Sequence, residues 1–189
     1  SEVFVKQALA SIGQPHLMRI YQEIFREYGL LSSQCLLSYS DFKKSESKTN
    51  IVNTINVLAH NNYIPIINEN DTVATDEIQF GDNDKLAALT AVLLEVDLLI
   101  IATNTHGIYT KESFQDKHPQ TILEVGDFDA LKNEVVRSRS SHGSGGMKSK
   151  IEAVSLSRNA KIETWIVNGL EDNFITNALE NKVPFTKIK

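Results

Sequence analysis

The chain has 189 residues, 41% hydrophobic and 23% charged, which is ordinary material for one globular domain with a substantial core. Its 24 acidic and 19 basic residues leave a net charge of −5, which argues against a nucleic-acid-binding surface. A single cysteine, Cys35, excludes an intrachain disulfide and fits a reducing compartment. No apolar run approaches the ~18 residues of a membrane span, and the opening SEVFVKQALAS lacks the basic and apolar regions of a signal peptide. The expected location is the cytoplasm, with neither nucleic acid nor membrane as partner.

The predicted elements alternate along the chain. Apolar residues recur at helical spacing from 3 to 28, with Val5, Leu9, Ile12, Leu17, Ile20, Tyr21, Ile24 and Phe25 on the pattern. Gly13 and Pro15 suggest a break or kink in that helix, and Gly29 a C-cap. A buried strand is predicted over 34–39, a helix over 49–62, and a strand over 63–67. A helix over 85–96 leads into the most apolar strand, 97–102. Residues 111–121 read as a polar loop. Helices follow over 128–136 and 148–158, then a strand over 163–167, a helix over 172–180 and an edge strand over 183–188. Short apolar strands alternating with helices imply βαβ units and a largely parallel sheet covered on both faces. Ligands of such sheets bind outside the carboxyl ends of the strands. Three polar, turn-rich segments fall at such positions: 68–84, 103–107 and 141–147.

The first of these carries the charge asymmetry. From Asn68 to Lys85 there are six carboxylates (Glu69, Asp71, Asp76, Glu77, Asp82, Asp84), three asparagines and one base. The remainder of the chain holds 18 acids and 18 bases, so this stretch accounts for the whole net charge. It reads either as a solvated acidic loop or as a site. Amides beside carboxylates offer donors and acceptors together, and such oxygens suit Mg²⁺ or an ammonium group. The second, SHGSGGMKSK over 141–150, places glycines and lysines before a helix. It reads as a phosphate cradle, where backbone amides and the helix dipole favour an anion, or as a linker entering the helix. Met147 separates the last glycine from Lys148, so it is not a Walker A loop. The five histidines are scattered singly, with no metal-ligand spacing.

Taken together, PIINENDTVATDEIQFGDND, GIYT and GSGGMKSK resemble the glutamate 5-kinase branch of the amino acid kinase family. The resemblance runs in order over essentially the whole chain, VKQALASIGQPHLMRIY included. It implies an α/β fold, a three-layer αβα sandwich with a largely parallel central sheet. The activity it implies is ATP-dependent phosphorylation of the L-glutamate side-chain carboxylate to γ-glutamyl 5-phosphate, the first step of proline biosynthesis. Asp71 and Asn83 match the residues that hold glutamate, with Asn68 and Asn70 beside them. Asp84 matches the aspartate that organises the catalytic lysines, and Asp82 adjoins it. Thr103 and Asn104 fall where the family contacts nucleotide. Ser144, Gly145, Gly146, Met147, Lys148, Ser149 and Lys150 match the nucleotide loop, with Lys150 reaching the transferred phosphoryl group. The implied cofactors are ATP and Mg²⁺, the metal held mainly by the ATP phosphates. The implied partners are L-glutamate, proline as a feedback inhibitor, and further copies of the chain in a homodimer or homotetramer.

Two departures accompany the resemblance. The family opens with a strand bearing V-V-K-x-G-[ST] and a second, serine-bearing segment, and nothing here matches either. The expectation is therefore one kinase domain over 1–189, incomplete at its N-terminus, without the RNA-modification-type domain of some relatives and inactive as this stretch alone. TNTHG also carries Asn104 where aspartate is usual. Two other readings stand beside this one: a non-catalytic chain that binds glutamate or proline, and a related kinase acting on acetylglutamate or carbamate.

Overall fold

The computed structural model describes residues 2–73, 83–110, 112–113, 116–137 and 144–189, with backbone alone at 134–137 and 144–145. The chain divides into two compact units, Ser1–Leu86 and Ala87–Lys189.

The first unit begins with α1 (Glu2–Glu27), followed by β1 (Leu31–Leu37), a 3₁₀ turn (Tyr39–Lys43), α2 (Ser45–His60) and β2 (Tyr63–Glu69). The break expected at Gly13 and Pro15 does not occur, and α1 runs through both. Its end is the one Gly29 signals. Gly29 adopts φ +67, its N–H donates to the Arg26 carbonyl at 3.1 Å, and the Leu30 N–H to Phe25 at 2.9 Å, the paired bonds of a glycine-closed helix. No residue of the apolar pattern on α1 is buried: Val5, Leu9, Ile12, Leu17, Ile20 and Ile24 are exposed, and the buried side chain of the helix is Met18, off the pattern. On α2, by contrast, Ile51 and Ile55 lie one turn apart and are both buried. β1 and β2 pair in parallel from Leu31↔Tyr63 to Leu37↔Glu69. β1 therefore starts earlier than the apolar run QCLLSY suggests and stops before Ser38. The Ser38 N–H and hydroxyl both donate to Asp41 Oδ2 at 2.8 Å, turning the chain into the 3₁₀ segment.

The helix α3 (Asn83–Leu93) crosses the division between the units. The second unit continues with β3 (Leu98–Thr103), α4 (Phe128–Arg137), α5 (Ser144–Asn159), β4 (Glu163–Asn168), α6 (Phe174–Leu179) and β5 (Thr186–Ile188). β4 is central, parallel to β3 and antiparallel to β5. Alternation along β4 sets the layers. Ile166 joins Ile151 and Val154 of α5 in one cluster, and Trp165 and Val167 join Ala178 of α6 and Phe185 in another. The Ser157 and Thr164 hydroxyls meet at 2.6 Å where α5 crosses β4. The sheet of this unit is thus covered on both faces, the layering that its continuous apolar strands imply. The α/β class and the parallel pairing are as expected; among the described residues the strands form a two-stranded and a three-stranded sheet.

The segment read as a plain polar loop is more ordered than that. Tyr109 bridges Thr121 in antiparallel fashion, and Thr110 N–H donates to Gln120 at 2.9 Å and Ile122 N–H to Ile108 at 2.8 Å. The buried Ser113 hydroxyl accepts from the Gln120 N–H at 2.7 Å. The alternation in GIYT and QTIL was the available signal, diluted by the polar residues between them.

Candidate functional site

In the first unit the predicted substrate residues gather at the carboxyl end of β2. Asn68 is its penultimate residue, and Asn70 follows, its N–H donating to the Leu37 carbonyl at the end of β1 at 2.7 Å. A turn closed by Val73 N–H to Asn70 carbonyl at 3.1 Å holds Asp71. The Asp71 side chain is half-buried, and burial raises its carboxyl above the ordinary value of 3.8. Residues 74–82, and with them Asp82, lie outside the described residues. On the far side of that gap Asn83 opens α3, and its Nδ2 donates to Asn68 Oδ1 at 2.8 Å. Asp84 sits in the first helical turn, where a carboxylate complements the helix dipole. Lys85, the only base of the acidic stretch, lies over the Tyr39 ring at 5.1 Å.

Two residues that no motif singles out complete this edge. Gln14 of α1 accepts from Asn68 Nδ2 at 3.0 Å and donates through Nε2 to Gln34 Oε1 of β1, also at 3.0 Å. The Glu69 N–H donates to Asn68 Oδ1 at 2.9 Å. One turn earlier on α1, the Ser11 hydroxyl meets that of Thr72 at 2.9 Å.

In the second unit the predicted nucleotide residues lie on two segments. Thr103 ends β3, and its carbonyl accepts from the Gly169 N–H beyond β4 at 2.8 Å. Asn104 follows, its Oδ1 at 3.5 Å from the Thr103 hydroxyl. The loop ends at Gly107, with φ +109 and a space so tight that an added Cβ would lie 2.8 Å from the Thr186 nitrogen. The Thr186 hydroxyl accepts from Ile108 N–H at 2.8 Å and donates to the Ile122 carbonyl at 2.7 Å. Beside this loop His106 Nε2 lies 3.3 Å from Glu171.

The glycine-rich segment differs from expectation. The helix expected at 148 starts at Ser144, so Ser144, Gly145, Gly146 and Met147 form its first turn. Small residues tolerate this position because the core on one side supplies what propensity does not: Met147 packs against the Ile151 cluster. The first four amides of a helix have no intrahelical acceptor, so this turn presents donors and the positive end of the dipole. A Cβ at Gly146 would meet nothing within 4 Å, which leaves the backbone open to approach. Lys148 reaches Glu152 at 3.6 Å, an exposed pair of little energetic weight. Lys150 is half-buried on the same helix, two residues on.

Comparison with known proteins follows the same lines. The family model described as the amino acid kinase family matches residues 1–168. The glutamate 5-kinase of Thermoanaerobacter sp. (strain X514) is 42% identical over 177 residues, which are 93% of this chain and 47% of that protein. The glutamate 5-kinase of Vibrio campbellii (strain ATCC BAA-1116) is 37% identical over 188 residues, 99% of this chain and 50% of that protein. The chain thus spans about half the length of the curated relatives it matches. Among solved structures, UMP kinase from Ureaplasma parvum aligns with a TM-score of 0.54 and 16% identity over 87% of this chain and 62% of that one. Carbamate kinase from Giardia lamblia bound to AMP-PNP aligns with a TM-score of 0.51 and 18% identity over 72% of this chain and 43% of that one. These structural likenesses concern the fold.

Proposed function

This chain belongs to the amino acid kinase family, and from that premise we propose that it serves ATP-dependent phosphorylation of the L-glutamate side-chain carboxylate, the glutamate 5-kinase reaction of proline biosynthesis. The observation that carries the proposal is the hydrogen bond from Asn83 to Asn68. It joins the two ends of the acidic stretch, fifteen residues apart, at the carboxyl end of β2. The curated relatives named glutamate 5-kinase support the choice of acceptor.

In this reading Asp71 and Asn83, with Asn68 and Asn70, receive the amino acid. A carboxylate and an amide oxygen suit its α-ammonium group. The γ-carboxylate is ionised at pH 7, so no general base is needed. One of its oxygens forms the bond to the γ-phosphorus as the bond to the ADP oxygen breaks, and no proton moves. The obstacle is charge, because two anions must approach. Lys150 and the first-turn amides of α5 supply the stabilisation, while Lys148 is drawn toward Glu152. Asp84 organises the lysines, with Asp82 its neighbour in sequence, and Thr103 and Asn104 contact the nucleotide together with residues 144–150. Asn104 keeps the acceptor oxygen of the usual aspartate and loses its charge. Mg²⁺ rides on the ATP phosphates, since this ion commonly takes one or two carboxylates plus phosphate oxygens, and it supplies charge neutralisation when bound.

One kinase domain over 1–189, a cytoplasmic location, proline as a feedback inhibitor and a homodimer or homotetramer belong to the same proposal. Among the described residues no helix is long and apolar enough to cross a membrane. The exposed apolar residues of α1 support self-association, which sedimentation of the purified protein checks. An acceptor panel tests the chemistry. For the complete enzyme, ADP release with L-glutamate, and none with N-acetylglutamate or carbamate, is expected. Turnover with another acid but not with glutamate overturns the proposal, and glutamate binding without ADP release favours the non-catalytic reading.

A further inference from the structure

We infer that Gln14 and Gln34 are positioning residues, the outer members of a carboxamide relay that fixes which end of Asn83 faces the substrate. The inference rests on the reading of Asn83 as a substrate ligand, and nothing in the sequence motifs assigns a task to either glutamine.

The argument starts from a single unambiguous group. A carboxamide has an acceptor oxygen at one end and a donor nitrogen at the other, and either end can face a polar neighbour. A backbone N–H can only donate. Because the Glu69 N–H points at the Asn68 side chain at 2.9 Å, the atom it meets is Oδ1. That choice sets the rest. Asn68 Oδ1 also accepts from Asn83, so Asn83 presents Nδ2 inward at 2.8 Å and retains Oδ1 as the group it can offer to a ligand. Asn68 Nδ2 must then find an acceptor, which is Gln14 Oε1 at 3.0 Å. Gln14 is left with its nitrogen, which donates to Gln34 Oε1 at 3.0 Å. Four carboxamides from α1, β1, β2 and α3 thus share one polarity, seeded at Glu69 and ending on an acceptor at Asn83.

An acceptor at that place meets an ammonium group and not a carboxylate. A reversed Asn68 would point its NH₂ at two donors and forfeit both bonds, and Asn83 would then turn its own NH₂ outward. Gln14 opposes that reversal by giving Asn68 Nδ2 a partner. The Ser11–Thr72 contact places the same face of α1 against the following turn, since residues three apart on a helix are neighbours. The relay therefore deepens the substrate reading by naming what sets amino-acid recognition: preference for glutamate over glutarate, the same diacid without the ammonium group.

Calorimetric titration of the purified protein with L-glutamate and with glutarate tests it, using Gln14→Leu, Gln14→Glu and Gln34→Leu. Gln14→Leu is expected to lose about tenfold in glutamate affinity, the scale of one hydrogen bond to a charged group, with glutarate affinity unchanged. Gln14→Glu keeps the acceptor for Asn68 and should stay within about threefold of the wild type, and Gln34→Leu within about twofold. Equal losses for both ligands in Gln14→Leu indicate a merely structural role and overturn the inference, as does unchanged glutamate affinity. A ligand-free arm separates this result from the reading beneath it. In ¹⁵N-labelled protein, Gln14→Leu should shift the side-chain NH₂ signals of Asn68 and Asn83. Unshifted signals overturn the relay whatever binds. Shifted signals in a wild-type protein that binds no glutamate uphold the relay and overturn the substrate reading alone.

Discussion

The carboxyl edge of β2 and the first turn of α5 solve opposite problems with opposite materials. At the first, the amides satisfy one another: Asn83 to Asn68, Asn68 to Gln14, Gln14 to Gln34. At the second, Gly145, Gly146, Lys148 and Lys150 bring glycines and positive charge to the start of a helix, whose first amides have no intrahelical acceptor. An acceptor-rich edge suits a cationic group, and a donor-rich helix start suits phosphate. In the proposed reading, the first would receive the amino acid and the second would neutralise the anions. The difference teaches that Asn68, Asn70, Asp71 and Asn83 form an acceptor-bearing edge of the first unit, whereas the start of α5 in the second unit is rich in donors.

Substitutions separate the two edges, and the largest effect is expected at the donor-rich one. Lys150→Ala should lower kcat about 10²–10³-fold, the scale of a lost electrostatic stabiliser, while glutamate affinity stays near the wild-type value. Asp84→Asn should likewise abolish turnover with the fold intact by circular dichroism, and retained turnover would show that the aspartate does not organise the lysines. Asn83→Ala should raise the KM for glutamate about ten- to a hundredfold, the range of a hydrogen bond to a charged group, and leave the KM for ATP unchanged. A rise in both would erase the division between the edges. Gly107→Ala forces a Cβ against Thr186 at φ +109. It should cost roughly 1–3 kcal/mol, read as a Tm lower by about 2–4 °C per kcal/mol.

The smallest effect concerns pH. Burial raises the Asp71 carboxyl above its ordinary 3.8, so in the folded chain the charged form is disfavoured. The stability it contributes is present below the unfolded value and lost as pH rises through the folded one. Asp71→Asn should therefore raise Tm slightly at neutral pH while weakening glutamate binding. In the wild type, glutamate affinity should begin to fall, as pH decreases, above the range of an ordinary aspartate. Titrations between pH 4 and pH 7 read this directly, and a wild-type curve that follows Asp71→Asn removes Asp71 from the ammonium site.

Much of the architecture was legible in the sequence because its signals are local. Apolar runs gave β3 and β4, helical spacing gave α2, and Gly29 gave the end of α1. The misreadings have physical causes. Pro15 reads as a breaker because it removes one helix bond, yet α1 continues past it, where Gln14 and Ser11 gain partners outside the helix. The start of α5 moved to Ser144 because Met147 and Ile151 bury against the core, a tertiary gain that outweighs the poor helix propensity of Gly145 and Gly146. The acidic motif identified Asn68 and Asn83 by resemblance, whereas Gln14 and Gln34 were invisible, since a glutamine on a helix or a strand carries no signal until its neighbours are known.

Hydroxylamine trapping is the most direct test of the central claim. With L-glutamate, ATP and Mg²⁺, the complete enzyme should yield γ-glutamyl hydroxamate and ADP in equal amounts, and its Lys150→Ala variant should yield neither at a comparable rate. Hydroxamate formed from another carboxylic acid, with none from glutamate, would contradict the account.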